Sequence, residues 1–91
     1  MKIGYFADGP WSHKALERIV SDRKLEISFI VPRYASQDSV LKEWAKKLGV
    51  DFIPMKNVNS KDSINKLKSY KADIFVSMSF DQIIKKEVIH L

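Results

Sequence analysis

The chain has 91 residues and a mass of 10.5 kDa, with 45% hydrophobic and 30% charged residues. That composition describes a single small globular domain and excludes a multidomain enzyme, because a chain this short buries roughly 60–65% of its unfolded surface around one core. No run approaches the ~20 apolar residues needed to cross a bilayer, and the opening MKIGYFADGP lacks the features of a signal peptide, so a cytoplasmic location is expected. There is no cysteine, which excludes disulfides and thiolate chemistry, and His13 and His90 stand in no metal-binding spacing, so no metal site is expected. The net charge of +5 comes from 16 basic against 11 acidic residues, and thirteen of the basic ones are lysines. Scattered lysines solvate a surface, whereas a phosphate-reading face favours arginines in clusters with interleaved aromatics. The surplus lies in residues 41–91, with ten basic and six acidic groups.

Lys2 to Ala7 forms a β-branched and aromatic run that ends at Asp8-Gly9-Pro10, a strand followed by a turn. Ser12 reads as the N-cap of a helix with Ala15, Leu16, Ile19 and Val20 on one face. Glu26 to Val31 is a nearly continuous apolar strand ending before Pro32. Ser36 reads as the next cap. Its helix carries Val40, Leu41, Trp44, Ala45 and Leu48 inward, and Gly49 stands at a left-handed C-terminal cap. Val50 to Met55 is a third strand, placed at an edge because Pro54 cannot donate to a ladder. Ser60 caps a third helix with Ile64, Leu67 and Tyr70 inward, Ala72 to Met78 is a fourth strand, and Gln82 to Leu91 has the apolar period of a short helix.

Strands alternating with helices imply right-handed parallel crossovers, so the predicted architecture is α/β: one domain over residues 1–91, an open parallel sheet of order 3-2-1-4 with helices on both faces. Ligands in such sheets collect at the carboxyl ends of the strands near the switch point, here between the first and fourth strands. The loop Asp8, Gly9, Pro10, Trp11, Ser12 and the loop Ser77 to Ile84 meet there.

The residues of both loops admit two readings. Gly9-Pro10 is either a plain turn or a ligand contact at a helix N-terminus, although Asp8 opposes a phosphate and the glycine spacing is that of no nucleotide fingerprint. Trp11 either closes the helix start as a hydrophobic staple or stacks on a ligand. His13 is either a surface residue or a base awaiting a partner. Arg33 and Tyr34, after the second strand, are either a polar loop or a ribose or phosphate contact. In the second loop, Phe80 and Ile84 either seal the core or wall an apolar slot.

The opening MKIGYFADGPWSHKALERI resembles the start of methionyl-tRNA formyltransferases and sugar N-formyltransferases, in which a strand leads through a G-T-P-like loop into a helix with an A-L-E element, here Ala15-Leu16-Glu17. VSMSFDQIIKKEVIHL resembles that family's strand-four segment, with Phe80 at the aromatic position, Ile83-Ile84 at the Ile-Leu pair and Lys86-Glu87-Val88-Ile89 at the following helical stretch. The likeness spans the whole chain. Two residues depart from it: Asp81 stands where the family tends to have a small or apolar residue, and Lys85 where proline is common.

The resemblance implies an amino-terminal half of a formyltransferase domain, with 10-formyltetrahydrofolate as cofactor and Met78, Phe80, Gln82, Ile83 and Ile84 as the folate contacts. It implies an amine acceptor, left open among an aminoacyl-tRNA, a nucleotide-linked amino sugar and glycinamide ribonucleotide. The family's catalytic Asn and His, in an N-x-H-x-S-x-L-P motif, and its later Asp are not reached by Leu91, so this chain alone is expected to be inactive. A folate- or nucleotide-binding module without chemistry is the alternative. A receiver-type signalling domain fits less well, because Asp8 alone does not make its acidic cluster. The apolar strand 73–78 is expected to be an open edge through which the chain self-associates.

Overall fold

The computed structural model describes residues 1–82. It contains β1 (Lys2–Ala7), α1 (Gly9–Ser21), β2 (Glu26–Val31), α2 (Ser39–Leu48), β3 (Asp51–Phe52), α3 (Lys61–Lys68) and β4 (Ile74–Met78). The strands form one parallel sheet of order β3-β2-β1-β4, as the alternation of periods predicts. The helical stretch expected from Gln82 to Leu91 lies outside the described residues beyond its first position.

Alternation along β1 divides the core into two layers. Ile3, Tyr5 and Ala7 meet Leu16 of α1 and Leu41 and Ala45 of α2 on one face, while Phe6 meets Leu67 of α3 on the other. β2 serves both layers through an irregularity. Its register against β1 steps from Ile27 directly to Phe29, leaving Ser28 as the extra residue. Ile27 and Ile30 therefore both reach the α1–α2 layer, and Phe29 and Val31 the α3 layer, which a regular strand could not arrange.

The α3 layer is aromatic. Phe6 makes edge contacts with Phe29, Phe75 and Phe80 at centroid distances of 5.6, 5.4 and 5.6 Å, and Phe29 also meets Tyr70 at 4.9 Å. Gly4 makes room for it: a Cβ there would stand 2.3 Å from the Phe29 ring and 2.9 Å from that of Phe75. Tyr70 lies past the end of α3, and its hydroxyl donates to Asp51 Oδ2 at 2.6 Å. Burial, reinforced by that carboxylate, pushes the Tyr70 phenol up to about 12.

Several local expectations are corrected. α1 begins at Gly9, with Asp8 rather than Ser12 at its N-cap. Pro10 fits the first turn, where a missing N–H costs nothing, and Ser12 sits buried with its hydroxyl donating to Gly9 O at 2.6 Å. Trp11 is inside that first turn and 73% exposed, so it is no hydrophobic staple. Asp38, not Ser36, caps α2, and Val40 turns outward while Leu41 and Ala45 fill the core. β3 is two residues long instead of six. Ile53 N still donates to Ile30 O, but Pro54 has no N–H with which to continue. β4 starts at Ile74 rather than Ala72, because Lys71 turns at a φ of 52°. The Ser60 cap and the left-handed Gly49 cap (φ 71°) stand as expected.

Overpacking at Gly4 sets the first testable outcome. Gly4→Ala should lower stability by about 1–3 kcal/mol, seen as a fall in Tm of at least about 4 °C, and pairing it with Phe29→Leu should recover part of the loss. An unchanged Tm in the single variant would show that the aromatic layer yields freely.

Candidate functional site

The carboxyl ends of β1 and β4 meet, with Asp8 N donating to Met78 O at 3.1 Å, so the two loops expected to converge do so. Gly9 makes the turn out of β1 at a φ of 81°, a conformation glycine adopts without strain. Arg33, from the end of β2, reaches into this junction. Its Nη2 lies 3.6 Å from Asp8 Oδ2 and its Nε 3.8 Å from Asp81 Oδ2. Both distances exceed a hydrogen bond, and the buried Nε has no hydrogen-bond acceptor among the described residues. The guanidinium thus joins the loops after β1, β2 and β4 by charge alone. Tyr34 beside it is exposed.

A second junction was hidden from the sequence. Asp38 Oδ1 accepts from the backbone N–H groups of Val40 and Leu41 at 2.9 and 3.1 Å, capping α2. Its Oδ2 accepts from Gly9 N at 3.0 Å and from His13 Nε2 at 2.7 Å. The carboxylate accepts only, so Nε2 carries the proton in this hydrogen bond. Burial raises the Asp38 carboxyl, but the His13 hydrogen bond, the Leu41 and Gly9 amides and the His13 charge together hold it below its usual range. Asp38 stands 25 positions from its imidazole partner; the one sequence signal was an N-cap residue type ahead of an apolar period.

The expected folate contacts separate into roles. Met78 lines a groove of about 580 Å³ together with Trp11, Ala15, Lys14 and Arg18. Ser79, exposed at a φ of 55°, bends the chain away from the sheet at the same groove. Phe80 turns back onto Phe6 and the aromatic layer. Gln82 clamps the loop after β3, its Nε2 donating to Met55 O and its Oε1 accepting from Val58 N, both at 2.8 Å. Ile83 and Ile84 lie outside the described residues. In the first loop, Asp8 faces Arg33, Gly9 feeds Asp38, Pro10 and Trp11 shape the exposed rim, and Ser12 is buried, where its carbonyl accepts from the Tyr5 hydroxyl at 2.8 Å. Burial pushes the Tyr5 phenol up to about 12.

The Asp38 junction has a pH signature. A carboxyl lowered by folding contributes stability that is complete above its ordinary value of about 4 and is lost as pH falls through the lowered one. Urea unfolding of the parent chain and of Asp38→Asn should therefore differ most between pH 5 and 7 and converge below pH 4. Asp38→Ala should cost about 1–2 kcal/mol at pH 7. A difference that persists unchanged at pH 2–3 would refute this account.

No family model matches the chain. The methionyl-tRNA formyltransferase of Finegoldia magna is 24% identical over 95 residues, an alignment covering 97% of this chain and 31% of that protein. The crystal structure of phosphoribosylglycinamide formyltransferase from Streptococcus pneumoniae shares the fold at a TM-score of 0.63 and 17% identity, covering 96% of this chain and 49% of that one. The chain spans about a third of the curated relative and about half of the solved one. No helix among the described residues is long and apolar enough to cross a membrane. With its 3-2-1-4 sheet and nearly end-to-end alignments, the chain is similar in sequence and fold to the formyltransferases, as an amino-terminal portion of that kind of domain.

Proposed function

We propose that the chain is the amino-terminal part of a folate-dependent formyltransferase, that its β4 loop contributes to the folate pocket, and that alone it does not catalyse transfer. The observation that carries this reading is the alignment of almost the whole chain with formyltransferases by sequence and by fold, with the β1 and β4 loops meeting at the switch point. 10-Formyltetrahydrofolate would supply the formyl group, and an amine would receive it.

The described residues fit such a cofactor in part. Trp11, Ala15 and Met78 offer an apolar wall for a flat heteroaromatic ring, and Lys14 and Arg18 on the same groove suit the carboxylates of a glutamyl tail. Phe80 and Gln82 hold the loop from behind, against Phe6 and against Met55 and Val58. In this reading Ile83 and Ile84 complete the pterin side, and Asp8 to Ser12 form the rim facing the acceptor.

Formyl transfer needs a polarised formyl oxygen and a base for the amine proton. His13 spends its Nε2 proton on Asp38, and residues 1–91 contain no Asn-x-His sequence. The catalytic groups would come from chain that this sequence does not contain.

Calorimetric titration with 10-formyl-5,8-dideazafolate, a stable analogue, tests the pocket. Saturable binding weakened at least ~10-fold by Ile83→Asp is expected, with no formyl release from 10-formyltetrahydrofolate in the presence of amine acceptors. Absence of binding at millimolar analogue would remove the folate reading, and turnover by the isolated chain would remove the claim of inactivity. Binding that neither needs nor gains from any further formyltransferase segment would favour the non-catalytic module.

A further inference from the structure

The first turn of a helix frays unless something holds it, because its N–H groups have no partners within the helix. Asp8 stands at the N-cap position of α1, yet its side chain makes no hydrogen bond to the turn. The turn is held from elsewhere. Gly9 N donates to Asp38 Oδ2 at 3.0 Å, and His13 Nε2 donates to the same oxygen at 2.7 Å. Between these two points the ring of Pro10 fixes its own φ, and Ser12 is buried with its hydroxyl on Gly9 O and its carbonyl under the Tyr5 hydroxyl. Gly9 and His13 are one turn apart and share a side of α1. Trp11 falls between them on the other side, where it lines the groove with Lys14, Ala15, Arg18 and Met78. Asp38 itself belongs to α2, where its Oδ1 accepts from Val40 N and Leu41 N, so the hold on α1 is anchored in the neighbouring helix.

We propose that Asp38 is a positioning residue for the groove: by gripping α1 on either side of Trp11 it presets the indole as the wall on which a flat ring stacks. The identity of that ring rests on the folate reading, whereas the presetting of Trp11 does not. Asp38 acts through the first turn of α1 and touches no ligand. Serine caps a helix about as well as aspartate does, so the start of α2 does not by itself call for a second carboxylate oxygen. That second oxygen is the one that holds Gly9 and His13. An indole carried on a pinned turn has given up its freedom when the chain folds, so less ordering remains to be done when a ligand arrives.

The chain has two tryptophans, so time-resolved fluorescence anisotropy reads Trp11 alone in a Trp44→Phe background and Trp44 alone in a Trp11→Phe background. Asp38→Ser keeps a capping residue on α2 and removes the oxygen that holds α1. Without any ligand it should about double the share of sub-nanosecond decay for Trp11 and leave that of Trp44 on α2 unchanged. His13→Ala should raise the Trp11 share by less, and the double variant should exceed Asp38→Ser by nothing, since both changes break one contact. Titration with 10-formyl-5,8-dideazafolate should then show binding roughly 5- to 10-fold weaker in Asp38→Ser than in the parent chain. Unchanged Trp11 motion in Asp38→Ser would overturn the proposal, and so would equal loosening of Trp11 and Trp44, which reports a general loss of structure. If Asp38→Ser does not fold, unchanged Trp11 motion in His13→Ala overturns it instead. Analogue affinity indifferent to a loosened Trp11 would overturn the part given to the groove. Loosening of Trp11 alone, in a chain that binds no analogue, would remove the folate reading and leave the positioning role of Asp38 standing.

Discussion

Two helices begin side by side at the carboxyl end of this sheet, and each start leaves backbone N–H groups without helical partners. One carboxylate answers both. Asp38 caps its own helix with one oxygen and, with the other, takes the Gly9 amide and the His13 ring at the start of α1. Its side chain is only 11% exposed, so the charge is held where solvent screens it little. The loops after β1 and β2 are thereby fixed to each other by a single residue. Arg33, the first polar residue after β2, is then set between Asp8 and Asp81 and brings the β4 loop into the same cluster. The lip of the site is electrostatic, and the body beneath it is apolar.

That body is unequal on its two sides. Against α1 and α2 it is built from Ile3, Tyr5, Leu16, Ile27, Ile30, Leu41 and Ala45, side chains that fit under a pair of helices. Against α3, the shortest helix, it is carried by rings from β1, β2, β4 and the loop beyond β4. Aromatic rings bury more surface each than aliphatic side chains do, so eight helical residues suffice to cover that face. The same rings anchor the candidate folate loop. Phe80 ends the aromatic row and Gln82 ties the next turn to the loop after β3, so that loop begins from a rigid base.

The strand order and the division into layers were legible because hydrophobic period and βα alternation are local signals summed over many residues. Helix starts were less legible. Ser12 and Ser36 are good capping types, yet Asp8 and Asp38 hold those positions, since Pro10 fits only a first turn and Asp38 can serve two helices at once. The length of β3 was overestimated because a β-branched, apolar run signals strand propensity and says little about how much neighbour it will find. The meeting of the loops after β1 and β4 was legible from topology. The His13–Asp38 pair was not, because no local pattern reports a contact across 25 residues of chain. Nor did sequence separate Met78, which lines the groove, from Phe80 and Gln82, which brace the loop from within.

The bare backbone of Gly4 also fixes how β1 and β2 align. On the α3 face of β1 the successive positions are Lys2, Gly4 and Phe6, and the ring of Phe29 lies over the only one without a side chain. Sliding β2 by two residues would keep every side chain on its proper face and so escape the usual penalty for a slip. It would also drive that ring into Lys2 or Phe6. Gly4 and Phe29 therefore act as notch and key, admitting one alignment of the two central strands, from which the positions of all four loops at the carboxyl end are measured.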